Sequence, residues 1–325
     1  MLLAFSCLGA ACTRAPLTPH ADVTLRLRAG AATRSLLPDE ARISELNLLI
    51  FTEEGLLEEQ RYLGERLLEG GSAELVIRAS LLKGVRYTIA VCANLGFQLP
   101  PLTLEELIRY RYPFTYPDEY AHGMPMSLLR SCRIPDDPAV EIPLELERAM
   151  ARVDLQVDRS ALDGDVSFTV ESVHVGACPA SVYLFQESHA MGVDDIFRNG
   201  FFLDGEQSQP LNRETDVGKS ATVQLYLLEN RQGDLLPPDT PEQDKVLTDS
   251  RFADVCSYIE LRASYHSPAW HTPPGAYIAY RFYLGEGAGN FDVCRNAVYH
   301  VTVRPEGDGL GEDSWRLQKE ALVDF

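Results

Sequence analysis

The sequence lacks the short motifs that mark the common hydrolases and nucleotide-binding enzymes. No G-x-S-x-G, H-E-x-x-H or P-loop pattern occurs in its 325 residues, and none of its seven cysteines forms a C-x-x-C pair. The glycines of residues 285–289 precede a strand-like run, where a phosphate site would need the N-terminus of a helix. We therefore predict that the chain is not an enzyme and has no catalytic residue, no metal site and no cofactor.

Basic residues are scarce relative to acidic ones. The chain has 29 Lys and Arg against 48 Asp and Glu, which gives a formal net charge of -19 at pH 7. Phosphate groups would be repelled at every approach, so nucleic acid and anionic membrane surfaces are excluded as partners. The hydrophobic content of 45% and the charged content of 24% are typical of globular domains.

The apolar run at the N-terminus, MLLAFSCLGAAC, is too short to span a bilayer. It ends in small residues before Cys12, and the chain turns polar at Thr13 and Arg14. The run resembles a bacterial lipoprotein signal, in which residues 1–11 would be removed and Cys12 would carry the lipid. The alternatives are acylation at Cys7 and a cleaved signal without a lipid.

A helical period is almost absent, and apolar and polar residues alternate with the period of half-buried strands. The alternation is clearest at residues 23–28, 85–92, 140–147 and 153–158. Pro143 lies within one of these runs and cannot donate to a ladder, so we expect that strand at a sheet edge.

The length of the chain predicts two domains, because 325 residues exceed the usual size of one. Many strands and only one capped helix, at Thr103 and Glu106, favour antiparallel sandwiches over alternating βα units. We predict an all-β fold of two antiparallel β-sandwich domains in tandem, residues 12–154 and 155–325, with one or two short helices. No internal repeat is visible in the sequence.

Two local features of the second domain are also predicted. The tetrapeptide Leu162-Asp163-Gly164-Asp165 is a hairpin signal. The apolar positions after residue 172 are out of phase with those at 166–170, which indicates a β-bulge near Glu171 and Ser172.

Several stretches, taken in order, resemble the fimbrillin-like subunits of type V pili from Bacteroidetes. The most specific is residues 280–303, where YRFYLG is followed by NFDVCRNAVYHVTV. The others are LNLLIFTEEG at 46–55, YTIAVCANLG at 87–96, HGMPMS at 122–127, ARVDLQV at 151–157, LYLLENRQG at 225–233 and YIELRA at 258–263. The resemblance implies a pair of transthyretin-like sandwiches, export as an outer-membrane lipoprotein, and assembly with other fimbrial subunits at the cell surface.

The resemblance also implies maturation by an Arg-specific protease that removes the first strand and opens a groove for a neighbour's strand. Arg34, which follows the predicted strand at 23–28, is the first candidate for cleavage, and Arg28 is the second. An anchor subunit would keep its first strand and its lipid. We expect an accessory subunit, tip or anchor, rather than the main stalk.

A sandwich that lacks one strand exposes unpaired backbone groups and an apolar groove, and an extended segment of another chain repairs both. The C-terminus offers a candidate donor strand whose apolar residues share one face: Trp315, Leu317, Ala321, Val323 and Phe325. The alternatives are that this tail completes its own domain or forms a short helix.

A second class of function stays open. Trp270, with Tyr265 and Tyr277, could stack on a sugar or on a host protein. The alternative is therefore a surface lipoprotein that binds a glycan or a host protein and never polymerises. An unrecognised hydrolase is a third hypothesis, but no nucleophile with its base is visible.

Overall fold

A computed structural model describes residues 19–30, 38–64, 73–113, 123–192, 195, 197–198, 208–213, 222–241, 244–310 and 315–321. Strands predominate in these residues, and the α-helices α1 (Leu104–Ile108) and α2 (Ser250–Ala253) are both short. No helix in the described part of the chain combines the length and the hydropathy that a membrane crossing requires. The predicted all-β class with one or two short helices is confirmed.

The N-terminal sandwich consists of two sheets that pack face to face. Its larger strands are β1 (His20–Ala29), β2 (Leu46–Phe51), β3 (Leu57–Leu63), β4 (Glu74–Leu82), β5 (Arg86–Ala93), β7 (Met126–Arg133) and β8 (Ala139–Arg148), and the short β6 is Arg111–Pro113. One sheet has the order β3-β2-β5-β7 and the other β8-β1-β4, and they join where the end of β8 pairs with the start of β7. Apolar residues of both sheets form one buried core between them.

The C-terminal sandwich repeats this arrangement. Its larger strands are β9 (Met150–Val157), β10 (Ser167–Gly176), β14 (Val223–Leu228), β15 (Tyr258–His266), β16 (Tyr277–Tyr283), β17 (Ala297–Val303) and β18 (Trp315–Ala321). The sheets β14-β9-β17-β18 and β10-β15-β16 enclose a second core. In each sandwich the first strand is parallel to a late strand, β1 to β8 and β9 to β17. The structure therefore contains an internal repeat that the sequence does not display.

Three sequence predictions about local structure can be compared with the fold. Helix α1 carries the expected capping box between Thr103 and Glu106, and the register of β10 shifts between Val170 and Ser172, as expected for the bulge. The predicted hairpin at 162–165 is wrong, because β9 and β10 belong to facing sheets and do not pair. That turn instead carries the chain from one side of the core to the other.

The two sandwiches meet where β8 is followed by Ala149 and then by β9. The predicted division between residues 154 and 155 falls within β9, whose paired neighbours β14 and β17 both lie in the C-terminal half. A small sheet also bridges the halves, because β6 pairs with β12 (Ser181–Tyr183). The remaining short strands, β11 (Cys178–Pro179) and β13 (Phe197–Arg198), pair with each other.

A buried ion pair spans the same junction. The Nη1 of Arg152 on β9 lies 2.7 Å from the Oε2 of Glu40, and these side chains are only 6% and 2% exposed. Arg152 also contacts the Asp154 carboxylate, and the Tyr226 hydroxyl donates to Glu40. Glu40 lies in a short 3-10 helix, Pro38–Ala41, that follows β1, so the pair ties the start of one half to the first strand of the other.

We expect Arg152→Met to lower the free energy of unfolding by about 3 kcal/mol, because it leaves the buried Glu40 carboxylate and the partly buried Asp154 carboxylate without their guanidinium partner. The matched control is Arg26→Met, whose ion pair with Glu141 is about half exposed (47% and 56%) and should contribute about 1 kcal/mol or less. Urea unfolding followed by circular dichroism measures both. Equal, small losses in the two variants would contradict a structural role for the junction pair.

Candidate functional site

Strand β1 is the central strand of its sheet and is hydrogen-bonded on both sides. The N–H of Asp22 donates to Pro138 O (3.0 Å) and that of Gly30 to Leu146 O (2.9 Å), both towards β8, whereas the N–H of Ala29 donates to Ala73 O (3.2 Å) beside β4. Its alternate apolar side chains are buried in the core: Ala21, Val23, Leu25, Leu27 and Ala29. Removal of β1 would therefore unpair the inner edges of β4 and β8 and uncover the core between them.

The two predicted cleavage sites differ in position. Arg28 lies within the β1 ladder, opposite Glu74 on β4 and Glu145 on β8. Its exposed side chain forms an ion pair with Glu74 at 2.9 Å. Proteolysis favours exposed loops over paired strands, so cleavage after Arg28 requires β1 to separate first. Arg34 lies outside the described residues, as do Cys7 and Cys12.

The outer edges of β4 and β8 are capped by side chains from the facing sheet. On β4, Arg61 of β3 donates from Nη1 to the Arg78 carbonyl oxygen at 2.6 Å. On β8, Arg130 of β7 donates from Nη1 to the Pro143 carbonyl oxygen at 2.5 Å. Pro143 lies in the part of β8 that pairs only with β1 among the described strands, as predicted for an edge. The two arginine caps had no recognisable signal in the sequence.

The predicted donor strand is paired within its own chain. Strand β18 runs antiparallel to β17, with Trp315 opposite Val303, Leu317 opposite Val301 and Ala321 opposite Ala297. Residues 315–321 of the tail thus form a strand and not a helix, and among the described strands this one lies at the edge of the C-terminal sandwich. Val323 and Phe325 lie outside the described residues.

The predicted aromatic cluster is only partly accessible. Trp270 and Tyr277 are exposed (60% and 63%), but Tyr265 is buried, and its hydroxyl donates to the Asp308 carbonyl oxygen. Tyr265 is therefore not available to a ligand, contrary to expectation. The Trp270 indole donates to the Asp308 carboxylate at 2.7 Å, whereas the Tyr277 ring packs beside Arg262.

No constellation for catalysis stands out in the described residues. A cavity of about 410 Å³ at the junction is lined by Ser127, Glu147 and Asn296 among others. Its buried Glu229 is held by Arg231 and Arg295, and Arg295 also donates to the Leu184 carbonyl oxygen. These charges are engaged with the protein itself.

The cysteine thiols and the side chains that could bind a metal also form no evident catalytic or metal site in the described residues. Burial raises the pKa of Cys178 to about 11 and that of Cys256 to about 12, so neither thiol ionises near neutral pH. None of the five cysteines in the described residues forms a disulfide. Within those residues no group of three His, Cys, Asp or Glu side chains could hold a metal ion.

We expect the double variant Arg130→Ala, Pro143→Val to associate more strongly than the wild type, because it restores an N–H and uncovers a carbonyl on the outer edge of β8. The control is Arg86→Ala. Arg86 is exposed, and it forms an ion pair with Glu53 at 3.8 Å. Light scattering after size-exclusion chromatography, at matched concentrations, gives the mass of each. Identical masses across the series would show that these caps do not protect the edge.

Comparison with known proteins supports the family resemblance at the level of the fold. Residues 225–303 match the model of a domain of unknown function, DUF4906, and no curated protein matches the chain. A putative cell adhesion protein from Parabacteroides distasonis superposes with a TM-score of 0.60 at 16% identity, covering 92% of this chain and 96% of that one.

Two fimbrial proteins of Porphyromonas gingivalis have the same architecture. The tip fimbrial protein Mfa3, with a C-terminal truncation, superposes with a TM-score of 0.57 at 12% identity over 93% of this chain and 99% of that one. A fimbrilin, FimA, gives a TM-score of 0.53 at 13% identity over 94% of this chain and 99% of that one. This chain therefore has the fimbrillin-like fold, in agreement with the resemblance of its sequence to that family.

Proposed function

We propose that this protein is a structural or adhesive subunit of a cell-surface fimbria, that it catalyses no reaction, and that it assembles by β-strand exchange. The observation that supports this most directly is the position of β1, the first described strand, which is nevertheless paired on both sides, with β4 and with β8. The fold shared with fimbrial and cell adhesion proteins agrees with it. An accessory role, at the tip or as an anchor, is favoured over the main stalk.

A new strand would bind strongly in the groove left by β1. Val23, Leu25 and Leu27 are at most 1% exposed, and burying side chains of this size contributes about 2 kcal/mol each. The backbone groups of β4 and β8 that now pair with β1 would also lose their partners. A strand with alternate apolar residues would restore both contributions at once.

Strand β18 is suited to be the donor because it would lose its pairing with one strand and pair with two others instead. Among the described strands it pairs with β17 alone, at the end of the order β14-β9-β17-β18. In the β1 groove of another subunit it would pair with β4 on one side and with β8 on the other. The donor residues would be Trp315, Leu317, Ala321, Val323 and Phe325.

The proposed lipid would attach the chain to the membrane, and the proposed cleavage would release it. In this proposal Cys12 is acylated and attaches the chain to the outer membrane, and cleavage after Arg34, or after Arg28, releases β1 together with the lipid. A subunit that retains both would be an anchor. Mass spectrometry of the surface-exposed form separates the two cases, because it detects either acylation at Cys12 or a new N-terminus after an arginine.

We expect the double variant Arg28→Lys, Arg34→Lys to remain uncut and to be lost from fibres, because lysine keeps the charge but is not a substrate of an Arg-specific protease. Arg86→Lys is the control and should be incorporated as the wild type. Deletion of residues 314–325 should leave the chain able to receive a strand but unable to give one. Fibres that contain the uncut double variant and the deletion variant in normal amounts would refute strand exchange.

The alternative function, a surface lipoprotein that binds a glycan or a host protein without polymerising, is favoured by the exposed Trp270 and Tyr277. If it holds, Trp270→Ala should abolish binding on a glycan or host-protein array. Tyr265→Phe should leave binding unchanged, because Tyr265 is buried. Binding by Trp270→Ala equal to the wild type would exclude this site.

A further inference from the structure

We propose that the outer edge of β16 is a docking surface for a second copy of this chain, in which two β16 strands pair antiparallel about a two-fold axis at Ala279. This surface lies in the C-terminal sandwich, away from β1 and its groove. The inference is therefore independent of strand exchange.

The backbone of β16 presents alternate residues to its two sides. The N–H of Tyr265 donates to the Ala276 carbonyl oxygen at 2.9 Å, and that of Leu284 to the Ser257 carbonyl oxygen at 3.1 Å. With the β15–β16 register, these bonds direct the backbone groups of even-numbered residues of β16 towards β15. The N–H and C=O groups of Tyr277, Ala279 and Arg281 therefore point away from β15, and β16 ends its sheet in the described part of the chain.

Three other edges, those of β4, β8 and β10, are capped by side chains, and the edge of β16 differs from them. Arg61 caps β4, and Pro143 with Arg130 caps β8. On β10, the Asn212 amide both accepts from the Val170 N–H at 2.7 Å and donates to the Val170 carbonyl oxygen at 2.9 Å, as a neighbouring strand would. Strand β16 contains no proline, and no described side chain bonds to its three outward carbonyls. An uncapped edge of this kind is a template for another strand.

The sequence of β16 is complementary to itself. Pairing about Ala279 places this small residue opposite its own copy and Tyr277 opposite Arg281 of the other molecule. A guanidinium beside an aromatic ring is attractive, and the three side chains are on the exposed face of the strand. Pairing about Arg281 would instead oppose two like charges, which is unfavourable.

The resulting dimer would have one continuous sheet of six strands, β10-β15-β16 and their copies. The new contact consists of roughly six backbone hydrogen bonds and little apolar area, so the dimer is weak and depends on concentration. A high local concentration of subunits, as at a cell surface, would favour it.

The test is a pair of single-cysteine substitutions in the full chain. Ala279→Cys places two thiols directly opposite each other across the axis, at a Cα separation of about 5.5 Å that a disulfide can span. Val76→Cys is the matched control, because Val76 is 53% exposed on the outer edge of β4, which Arg61 caps. Under mild oxidation we expect the disulfide-linked dimer of Ala279→Cys to exceed that of Val76→Cys and of the wild type at least tenfold.

A second substitution tests the backbone pairing itself. Ala279→Pro removes an N–H that points away from β15, so circular dichroism should report an unchanged fold, as for the natural Pro143 in β8. Sedimentation of the wild type should show a dimer that increases with concentration, and Ala279→Pro should remain monomeric. A wild type that stays monomeric, equal crosslinking at residues 76 and 279, or a folded Ala279→Pro that still dimerises would each overturn the proposal.

Discussion

The hydrogen bonds on the two sides of β1 hold the N-terminal sandwich closed. Buried and edge backbone groups need partners, and β1 supplies them to β4 and to β8 at once while its apolar side chains fill the core. A strand near the start of the chain thus has the contacts of a central strand. Its removal would affect the whole sheet, whereas removal of an edge strand such as β18 would affect one neighbour.

Three of the other sheet edges, those of β4, β8 and β10, are capped by side chains rather than by further strands. Arg61 and Arg130 reach from one sheet of the N-terminal sandwich to the edge carbonyls of the other, and Asn212 reproduces a strand's pair of hydrogen bonds on β10. Such contacts keep a β-rich protein from pairing at random with its neighbours. In the described residues, the outer edge of β16 has no such side-chain contact.

Local patterns in the sequence predicted local structure well. The alternation at 23–28, the capping box at Thr103 and the bulge at Ser172 are all present, because each depends on residues close together in the chain. The burial of Tyr265 was also predictable, since it continues the inward series Ile259, Leu261 and Ala263. The course of the chain at 162–165 was not predictable, because the same turn residues occur in hairpins and in connections between facing sheets. The arginine caps join residues distant in sequence and left no pattern to detect.

The internal repeat of the fold has one consequence for the direction in which molecules would assemble. Strand β9 corresponds to β1, but Ala149 alone separates it from β8, so the C-terminal half cannot lose its first strand without a cut between the halves. In the proposed strand exchange, each molecule would open one sandwich and, at its other end, donate one strand. Such contacts between unlike surfaces would be heterologous, and they would generate an unbranched chain of molecules that all point the same way.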